Sequence, residues 1–167
     1  VNDFQTYVWW YIRRSYGPMK EDGTLSKRGY CMAQFSKFIR RGYKRVDATE
    51  NPNNGVYVSA YTGDGKAVIV AVNSGSSDCS QSFTIKGKTL KNVDRYRTSG
   101  SENLAKTSNL ELSGNGFWAY LPANSVSTFV CTVENSSSNP TVSPSNIGDG
   151  WYYIKNTQTG KYLQVTG

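Results

Sequence analysis

Histidine is absent from the sequence, and only three cysteines occur among its 167 residues. Zinc and most other transition-metal sites use histidine or closely spaced cysteines as ligands. Cys31, Cys79 and Cys131 are far apart, so the sequence predicts neither a metal site nor any other cofactor. A continuous apolar stretch of about 20 residues, which a membrane-spanning helix needs, is also missing. We therefore expect no membrane association.

The first residues lack an initiator methionine and a signal peptide, and they enter an aromatic-rich stretch almost at once. The sequence ends equally abruptly. We therefore interpret the chain as an internal piece of a longer protein. The missing signal peptide then says nothing about where that longer protein resides.

Positive charge is in excess, with a formal net charge of +7, but it is scattered. Lysines and arginines occur from Arg13 to Lys161, with one denser group between residues 37 and 45. A nucleic-acid binder would concentrate them in a stripe with interleaved aromatic residues. We therefore expect no nucleic-acid partner. A basic surface that faces an acidic polysaccharide is more plausible.

The stretch Tyr7–Tyr11 is apolar and aromatic without alternation, which is typical of a strand buried on both faces. A polar loop from Arg13 to Thr24 and then a helix follow it, as in one βα unit of an α/β barrel. Chemistry in such barrels lies at the C-terminal ends of the strands and in the loops after them. That place holds Trp10, Arg14 and Tyr16. The simpler interpretation is a core strand followed by solvated arginines.

A single helix is predicted after the loop. Ser26 can cap its N-terminus, Leu25 can pack back onto Tyr30, and Gly42 can end it. Its apolar residues fall on one face and are expected to pack against the barrel: Cys31, Phe35, Phe38 and Ile39. We expect Cys31 and Cys131 to be buried thiols, whereas Cys79, which lies among serine and glutamine, could be exposed.

From Tyr43 onward apolar residues recur at every second position instead of at helical spacing, and Gly- and Asn-rich turns separate short strands. This pattern predicts an antiparallel sandwich whose central strands are 68–72 and 126–130, with a hairpin turn at 63–65. The remaining strands are expected at 44–48, 56–61, 80–85, 93–98, 110–112 and 117–121. Most sandwich aromatics should be core residues, although an exposed Trp118 or Tyr120 could bind sugar.

Residues 134–149 are rich in serine and asparagine with two prolines, as expected of an extended linker. Residues 150–167 have the pattern of one hairpin: an aromatic-rich strand, a turn ending at Gly160, then Lys161-Tyr162-Leu163. This pattern resembles the opening of a ricin-type β-trefoil carbohydrate-binding module. One hairpin cannot complete a trefoil.

The segment Val8-Trp9-Trp10-Tyr11-Ile12-Arg13-Arg14-Ser15-Tyr16-Gly17-Pro18 resembles the eighth βα segment of glycoside hydrolase family 30, in its bacterial glucuronoxylanase subfamily. The resemblance continues through roughly four fifths of the chain. It includes Lys27-Arg28-Gly29-Tyr30, Met32–Ile39, Gly42-Tyr43, Val58–Gly63 and Ser127–Cys131.

The resemblance implies a mainly β fold in which an antiparallel β-sandwich side domain is preceded by the last βα unit of a (β/α)8 barrel. An incomplete β-trefoil hairpin would end the chain. The predicted domains are therefore a terminal barrel segment at 1–42, the side domain at 43–133, the linker at 134–149 and the start of the trefoil module at 150–167.

The resemblance also implies a function. The family hydrolyses β-1,4-xylan with retention and uses two glutamates that precede Val1 in the family's order. No acidic residue here matches either glutamate, so this chain should be inactive alone and have no catalytic residue. Trp10, Arg14 and Tyr16 match the residues that hold the methylglucuronate branch, whereas Arg13 should be structural. The parent would be a secreted, extracellular bacterial endoxylanase, monomeric, with glucuronoxylan as its partner.

A non-catalytic carbohydrate-binding sandwich or lectin module is the main alternative. A basic interaction protein is a third interpretation, but it explains neither the barrel-type strand nor the tail. The strand at Tyr7–Tyr11 distinguishes the first two, because a free-standing sandwich does not need it. Two strand-end glutamates in the upstream sequence would decide the reaction class.

Overall fold

A computed structural model of the chain describes residues 6–135. Within them, one helix precedes nine strands. The helix is α1 (Lys27–Ser36). The strands are β1 (Lys44–Val46), β2 (Val56–Gly63), β3 (Lys66–Asn73), β4 (Cys79–Thr84), β5 (Lys88–Thr98), β6 (Ala105–Thr107), β7 (Leu112–Ser113), β8 (Gly116–Leu121) and β9 (Ser125–Asn135).

The strands form two antiparallel sheets. The larger has the order β1-β2-β3-β9-β5-β6, and the smaller has the order β4-β8-β7. β3 and β9 lie at the centre of the larger sheet, where Val68 pairs with Val130 and Val72 with Val126. The predicted antiparallel sandwich and its two central strands are therefore confirmed.

The core lies between the two sheets, where alternate residues of the strands face each other. Phe83 of β4, Phe117 of β8 and Phe129 of β9 form its centre, with ring centroids 5.1–5.4 Å apart. Burial of each ring stabilises the fold by roughly 1.5–3 kcal/mol. Apolar residues from both sheets surround this trio, among them Val58, Ile69, Val93 and Leu121.

The β2–β3 hairpin turns at the predicted place. Gly63 pairs with Lys66, and the two residues between them, Asp64 and Gly65, have φ angles of +49° and +68°. Positive φ at both central residues is the geometry of a type I′ turn, which favours Asp-Gly sequences. The local sequence therefore fixes the register of this hairpin.

Most strand boundaries differ from the prediction by one to three residues, and the start of β5 differs by more. β5 begins at Lys88, five residues before the predicted start, because its first half pairs with the end of β9 through a register shift between Leu90 and Asn92. β6 was not predicted, since its three residues become a strand only by pairing with β5. β9 ends at Asn135, two residues beyond the expected end of the side domain at residue 133.

Helix α1 packs on the face of the larger sheet that points away from the smaller one. Ser26 is its N-cap, as predicted, and its Oγ accepts a hydrogen bond from the Gly29 amide at 3.2 Å. The Gln34 side chain is buried and its Nε2 donates to Thr98 Oγ1 at 2.9 Å, while the backbone carbonyl of Gln34 accepts from Thr128 Oγ1 at 2.7 Å.

The predicted packing of the helix was wrong in one respect. Its buried residues are Gly29 and Gln34, whereas Phe35 is exposed and Cys31 is half-buried. The sheet beneath offers threonine hydroxyls, so a glutamine fits there better than the apolar residues do. The helix also ends at Ser36, well before Gly42, which occupies a positive-φ turn instead. Phe38, beyond the helix end, packs on Tyr96 with ring centroids 4.4 Å apart.

The predicted strand at Tyr7–Tyr11 does not form. These residues have no regular secondary structure, and Tyr7, Val8 and Trp10 are exposed rather than buried. A parallel barrel strand takes its hydrogen bonds from a neighbour on each side. Residues 6–135 contain no strand that pairs with it, so its apolar pattern alone does not produce strand structure.

Of the three cysteines, only Cys131 is buried as predicted, and its apolar surroundings raise the pKa of its thiol to about 12. Cys79 is half-buried rather than exposed. No helix within residues 6–135 has the length and apolarity needed to cross a membrane. The linker beyond residue 135 and the trefoil-like hairpin at 150–167 lie outside the described residues, and the predicted domain boundaries stay predictions.

Candidate functional site

The predicted site residues lie in and next to a compact turn between Ile12 and Met19. The Met19 amide donates to the Ile12 carbonyl at 2.9 Å, and the Arg14 amide donates to the Met19 carbonyl at 3.0 Å. The Gly17 amide closes the turn on the Arg14 carbonyl at 2.8 Å. We refer to residues 10–26 as the Arg14 loop. Its backbone is ordered by its own hydrogen bonds although the strand before it is absent.

The Arg14 loop is fastened to the start of helix α1. The Ser26 amide donates to the Pro18 carbonyl at 2.9 Å, and Ser26 Oγ donates to the Gly17 carbonyl at 2.6 Å. Gly17 and Pro18 are buried at this junction. Gly29 completes it, because a Cβ at this position would collide with the Pro18 carbonyl oxygen. The cap residue of the helix therefore also sets the position of the loop.

The two neighbouring arginines have different surroundings. Arg13 Nε donates to the Glu21 carbonyl at 2.8 Å, so this guanidinium ties the two ends of the loop together, as its predicted structural role requires. The Arg14 side chain is 50% exposed, and its Nη1 lies 3.9 Å from Glu21 Oε1. Within the part of the chain that the structure describes, the Arg14 guanidinium makes no hydrogen bond.

One aromatic ring lies against the Arg14 guanidinium, and a second ring lies against the first. The guanidinium carbon of Arg14 lies 4.9 Å from the centroid of the Tyr11 ring, within cation–π range. The Trp10 ring meets the same Tyr11 ring edge to face, at 5.2 Å between centroids and an interplanar angle of 80°. Trp10 itself is 81% exposed. The structure therefore brings Trp10 and Arg14 against the same Tyr11 ring.

Tyr16 lies at the far end of the turn and is 52% exposed. Its carbonyl oxygen accepts a hydrogen bond from the Arg28 guanidinium, which also stacks 4.7 Å from the Trp9 ring centroid. Within residues 6–135, the Tyr16 side chain makes no hydrogen bond, ring contact or cation–π contact with Trp10 or Arg14. The backbone of Tyr16 is thus held by the helix, while about half of the residue's surface is open to solvent.

Two residues of this site were not predicted from the sequence. Tyr11 was assigned to a strand buried on both faces, yet it is exposed, and its ring contacts both Trp10 and Arg14. The sequence predicted no role for Glu21. An aromatic residue three positions before an arginine in a turn is a signal that could have identified the first contact, whereas the second depends on how the loop closes.

The carboxylates of the loop are not arranged for acid–base chemistry. The Asp22 side chain accepts from the Thr24 hydroxyl at 2.6 Å and from the Thr24 amide at 2.8 Å. The Thr24 hydroxyl hydrogen bond, chiefly, holds the pKa of Asp22 below its ordinary value. Residues 6–135 contain no group of three or more acidic or cysteine side chains that could hold a metal ion. The arrangement offers one planar cation and exposed ring faces, which suit recognition of a carboxylated sugar.

The sequence matches the family described as "Glycosyl hydrolase family 30 beta sandwich domain" over residues 42–129, just over half of the chain. It is 64% identical over 128 residues to "Glucuronoxylanase XynC" from Bacillus subtilis strain 168. That match covers 77% of this chain and 30% of the relative.

Solved structures give the same result. A family 30 endoxylanase from Clostridium papyrosolvens superposes with a TM-score of 0.69 at 48% identity, covering 74% of this chain and 32% of that protein. A family 30 subfamily 8 xylanase from Clostridium acetobutylicum gives 0.71 at 47%, covering 75% and 33%. The chain thus spans about a third of the length of these relatives. It belongs to glycoside hydrolase family 30, whose β-sandwich domain its residues 42–129 form.

Proposed function

We propose that this chain is part of a secreted endo-β-1,4-xylanase that requires the glucuronate branches of xylan. The observation that carries the proposal is the 64% identity over 128 residues to a protein named as a glucuronoxylanase. In this proposal the Arg14 loop recognises the branch, and the two catalytic glutamates belong to a part of the enzyme outside this chain.

Arg14 is the residue that the uronate carboxylate would contact. Its guanidinium is half exposed and makes only a long contact, 3.9 Å, with the carboxylate of Glu21. A planar guanidinium can form two parallel hydrogen bonds with a carboxylate, and such charge-assisted pairs are stronger than neutral ones. A branch carboxylate would therefore gain a partner that the folded loop has not saturated.

The aromatic residues would hold the sugar ring. Trp10 exposes most of its indole surface, and an exposed indole offers an apolar face against which a pyranose can pack. The exposed Tyr16 can donate its hydroxyl to the sugar, while Tyr11 backs the Arg14 guanidinium at 4.9 Å. One short segment thus supplies a positive charge, an apolar ring face and a hydrogen-bond donor.

Extracellular action follows from the size of the substrate, since a polysaccharide cannot enter a cell intact. We expect the parent enzyme to be recovered from the culture medium of its bacterium rather than from the washed cells. Recovery in the cell fraction alone would contradict this part of the proposal.

The test uses the full-length parent enzyme with Arg14→Ala. Loss of a charge-assisted hydrogen bond of roughly 1.5–3 kcal/mol should lower kcat/KM on glucuronoxylan by about one to two orders of magnitude. The rate on unbranched xylo-oligosaccharides should be unchanged, because they have no carboxylate. Arg14→Lys, which keeps the charge but not the planar fork, should give an intermediate loss.

Arg41→Ala is the matched control, since it removes an exposed arginine far along the chain from the loop. It should leave both rates unchanged. An equal loss on branched and unbranched substrates with Arg14→Ala would mean that Arg14 stabilises the loop, and the recognition role would be wrong.

A further inference from the structure

The outer face of the smaller sheet presents two large aromatic side chains to solvent. Trp118 is 65% exposed and Tyr120 is 52% exposed, both on β8. Residues two apart in a strand point to the same face, with Cα atoms about 7 Å apart. The residues paired with them on β4 are Ser82, opposite Trp118, and Ser80, opposite Tyr120. The face is thus an aromatic pair beside a row of hydroxyls.

Tyr120 is held in place on this face. Its hydroxyl donates to Asp78 Oδ2, and Asp78 Oδ1 accepts from the Ala123 amide at 2.8 Å. The hydrogen bond between them lowers the pKa of Asp78 and raises the pKa of Tyr120, so both stay in their hydrogen-bonded forms near neutral pH. A ring fixed in this way loses little side-chain entropy when a ligand packs on it.

This aromatic face lies on the opposite side of the domain from the helix. Phe129 of β9 points toward the smaller sheet, whereas Thr128, the next residue back, points to helix α1 and bonds the Gln34 carbonyl. The Arg14 loop is fastened to the start of that helix. A ligand on Trp118 and Tyr120 would therefore contact neither α1 nor the residues assigned to the branch.

We infer that Trp118 and Tyr120 form a second polysaccharide-binding surface, which takes an uncharged, unbranched stretch of β-1,4-xylan. This inference rests on the proposed function for the identity of the polymer.

The charge of the face favours this ligand. The strand positions that share it with the aromatic pair are serine, threonine and glycine: Ser80, Ser82, Thr84, Ser113 and Gly116. The charged group closest to it in the hydrogen-bond pattern is the Asp78 carboxylate, which would repel a nucleic-acid phosphate or a uronate. The Arg97 guanidinium reaches the backbone carbonyl of Tyr120 at 3.4 Å, but no strand position on the face itself carries a cationic side chain. Hydroxyl groups and ring faces suit a neutral sugar chain.

The size of the face argues against a protein partner. Two aromatic side chains bury about 150–250 Å² each when fully covered. A stable protein–protein interface buries about 800 Å² on each partner. The two rings and their small neighbours fall short of that area, but an extended sugar chain needs only ring faces in a row.

The experiment is an NMR titration of the 15N-labelled 167-residue chain with unbranched xylohexaose. The indole N–H peak of Trp118 is identified as the one missing from Trp118→Ala. We expect this peak to shift with saturation, and Trp118→Ala to weaken the affinity measured by calorimetry at least tenfold. Tyr120→Phe, which frees the ring from Asp78, should weaken it less. Tyr57→Ala, which removes an exposed tyrosine from β2 in the other sheet, should leave the affinity unchanged.

A Trp118 peak that stays in place at saturating xylohexaose would overturn the inference, as would a Trp118→Ala variant that binds as tightly as the wild type. Cello-oligosaccharide binding of equal strength would overturn the assignment to xylan. The outcome is separable from that of the proposed function, because Arg14→Ala should not move the Trp118 titration. Conversely, the outcome of the Trp118 titration does not affect whether glucuronoxylan hydrolysis depends on Arg14.

Discussion

At the scale of single residues, the Arg14 loop depends on the glycine at position 29, which has no side chain. Gly29 lies in the first turn of helix α1, directly below the Pro18 carbonyl that the Ser26 amide bonds at 2.9 Å. The absence of a Cβ lets the loop backbone reach the helix. A glycine inside a helix normally costs about 1 kcal/mol relative to alanine, so its presence here is explained by the close approach.

Gly29→Ala should therefore destabilise the protein although alanine is the better helix former. Overpacking typically costs about 1–3 kcal/mol, which exceeds the gain in helix propensity. Urea unfolding should show a lower midpoint, and the Ser26 amide should exchange faster with solvent. Gly100→Ala is the control, since a Cβ there would meet no atom within 4 Å. A Gly29→Ala variant as stable as the control would show that the loop is not fastened at this point.

The sequence predicted different roles for the two adjacent arginines, Arg13 and Arg14. Arg13 was predicted to be structural, and it bonds the Glu21 carbonyl. The role of Arg14 in recognition stays a prediction. The Tyr11 contact was missed because an apolar run followed by Gly-Pro reads as a strand and a turn. Whether a tyrosine in that run is buried or exposed depends on neighbours that its own sequence does not specify.

At the scale of elements, an ionic cluster joins strand β5 to the connection that follows it. The Arg97 guanidinium bonds both oxygens of Glu102, with Nη2 to Oε1 at 2.9 Å, and Arg95 Nη2 lies 3.8 Å from the same carboxylate. Lys27 from helix α1 donates to the Ser99 carbonyl at 2.7 Å and to Asn103 Oδ1 at 2.6 Å. The cluster thus lies where the helix, β5 and its connection meet.

Glu102→Gln should lower stability in a pH-dependent way. The Arg97 hydrogen bond, chiefly, holds the pKa of Glu102 below its ordinary value of 4.5. A depressed folded-state pKa stabilises the protein above the unfolded-state pKa, and this contribution is lost as pH falls through the folded-state value. At pH 7 the variant should melt lower, by a few degrees for about 1 kcal/mol, because the pair is partly exposed.

The measurement is thermal melting of wild type and Glu102→Gln between pH 7 and pH 3. The difference in Tm should shrink once the pH drops below about 4.5. The pKa values of Asp78 and Asp94 are also lowered, but these groups titrate in both proteins and cancel in the difference. A difference in Tm that stays constant over this range would show that the charge of Glu102 is not what stabilises the cluster.

The elements also show where sequence patterns suffice. The strands β3 and β9 are long, apolar and bounded by turn residues, so their pattern predicts them with no further information. The ionic cluster was not predicted, because Lys27 and Asn103 are distant in sequence and meet only when the helix packs. β6 was missed for the same reason. Polar contacts between elements are set by tertiary packing, and the spacing of apolar residues along the sequence does not predict them.

At the scale of the whole molecule, residues 6–135 form three layers: helix α1, the larger sheet and the smaller sheet. The two outer layers contact the larger sheet in different ways. Helix α1 contacts it through buried polar groups, whereas the smaller sheet packs on it through the phenylalanine core. The sequence predicted the sandwich but left the helix to pack on a barrel. Its actual position on the larger sheet depends on Gln34, which no apolar pattern reveals.

Hydrogen exchange should reveal this order of layers. The slowest amides are expected in residues 68–72 and 126–130, the central paired strands of the larger sheet. Helix α1 should exchange more slowly than residues 6–11, because it packs on the sheet, whereas that segment has no regular structure. Equal protection in residues 6–11 and 68–72 would mean that the opening segment is a paired strand after all.

The chain by itself should hydrolyse no glycoside. A retaining glycosidase needs two carboxyl groups about 5–5.5 Å apart across the scissile bond. Five of the described acidic side chains already have other partners: Asp22 bonds Thr24, Asp78 bonds Tyr120, Asp94 pairs with Lys106, Glu102 pairs with Arg97, and Glu50 pairs with Arg45.

Reducing-sugar release from glucuronoxylan by the purified 167-residue chain is the measurement, with a mock preparation from empty vector as the baseline. We expect no release above this baseline, while the same preparation should still show the Trp118 shift with xylohexaose. Binding and turnover would thus be separated in one polypeptide. Turnover above the baseline would contradict the assignment of both catalytic glutamates to a part of the enzyme outside this chain.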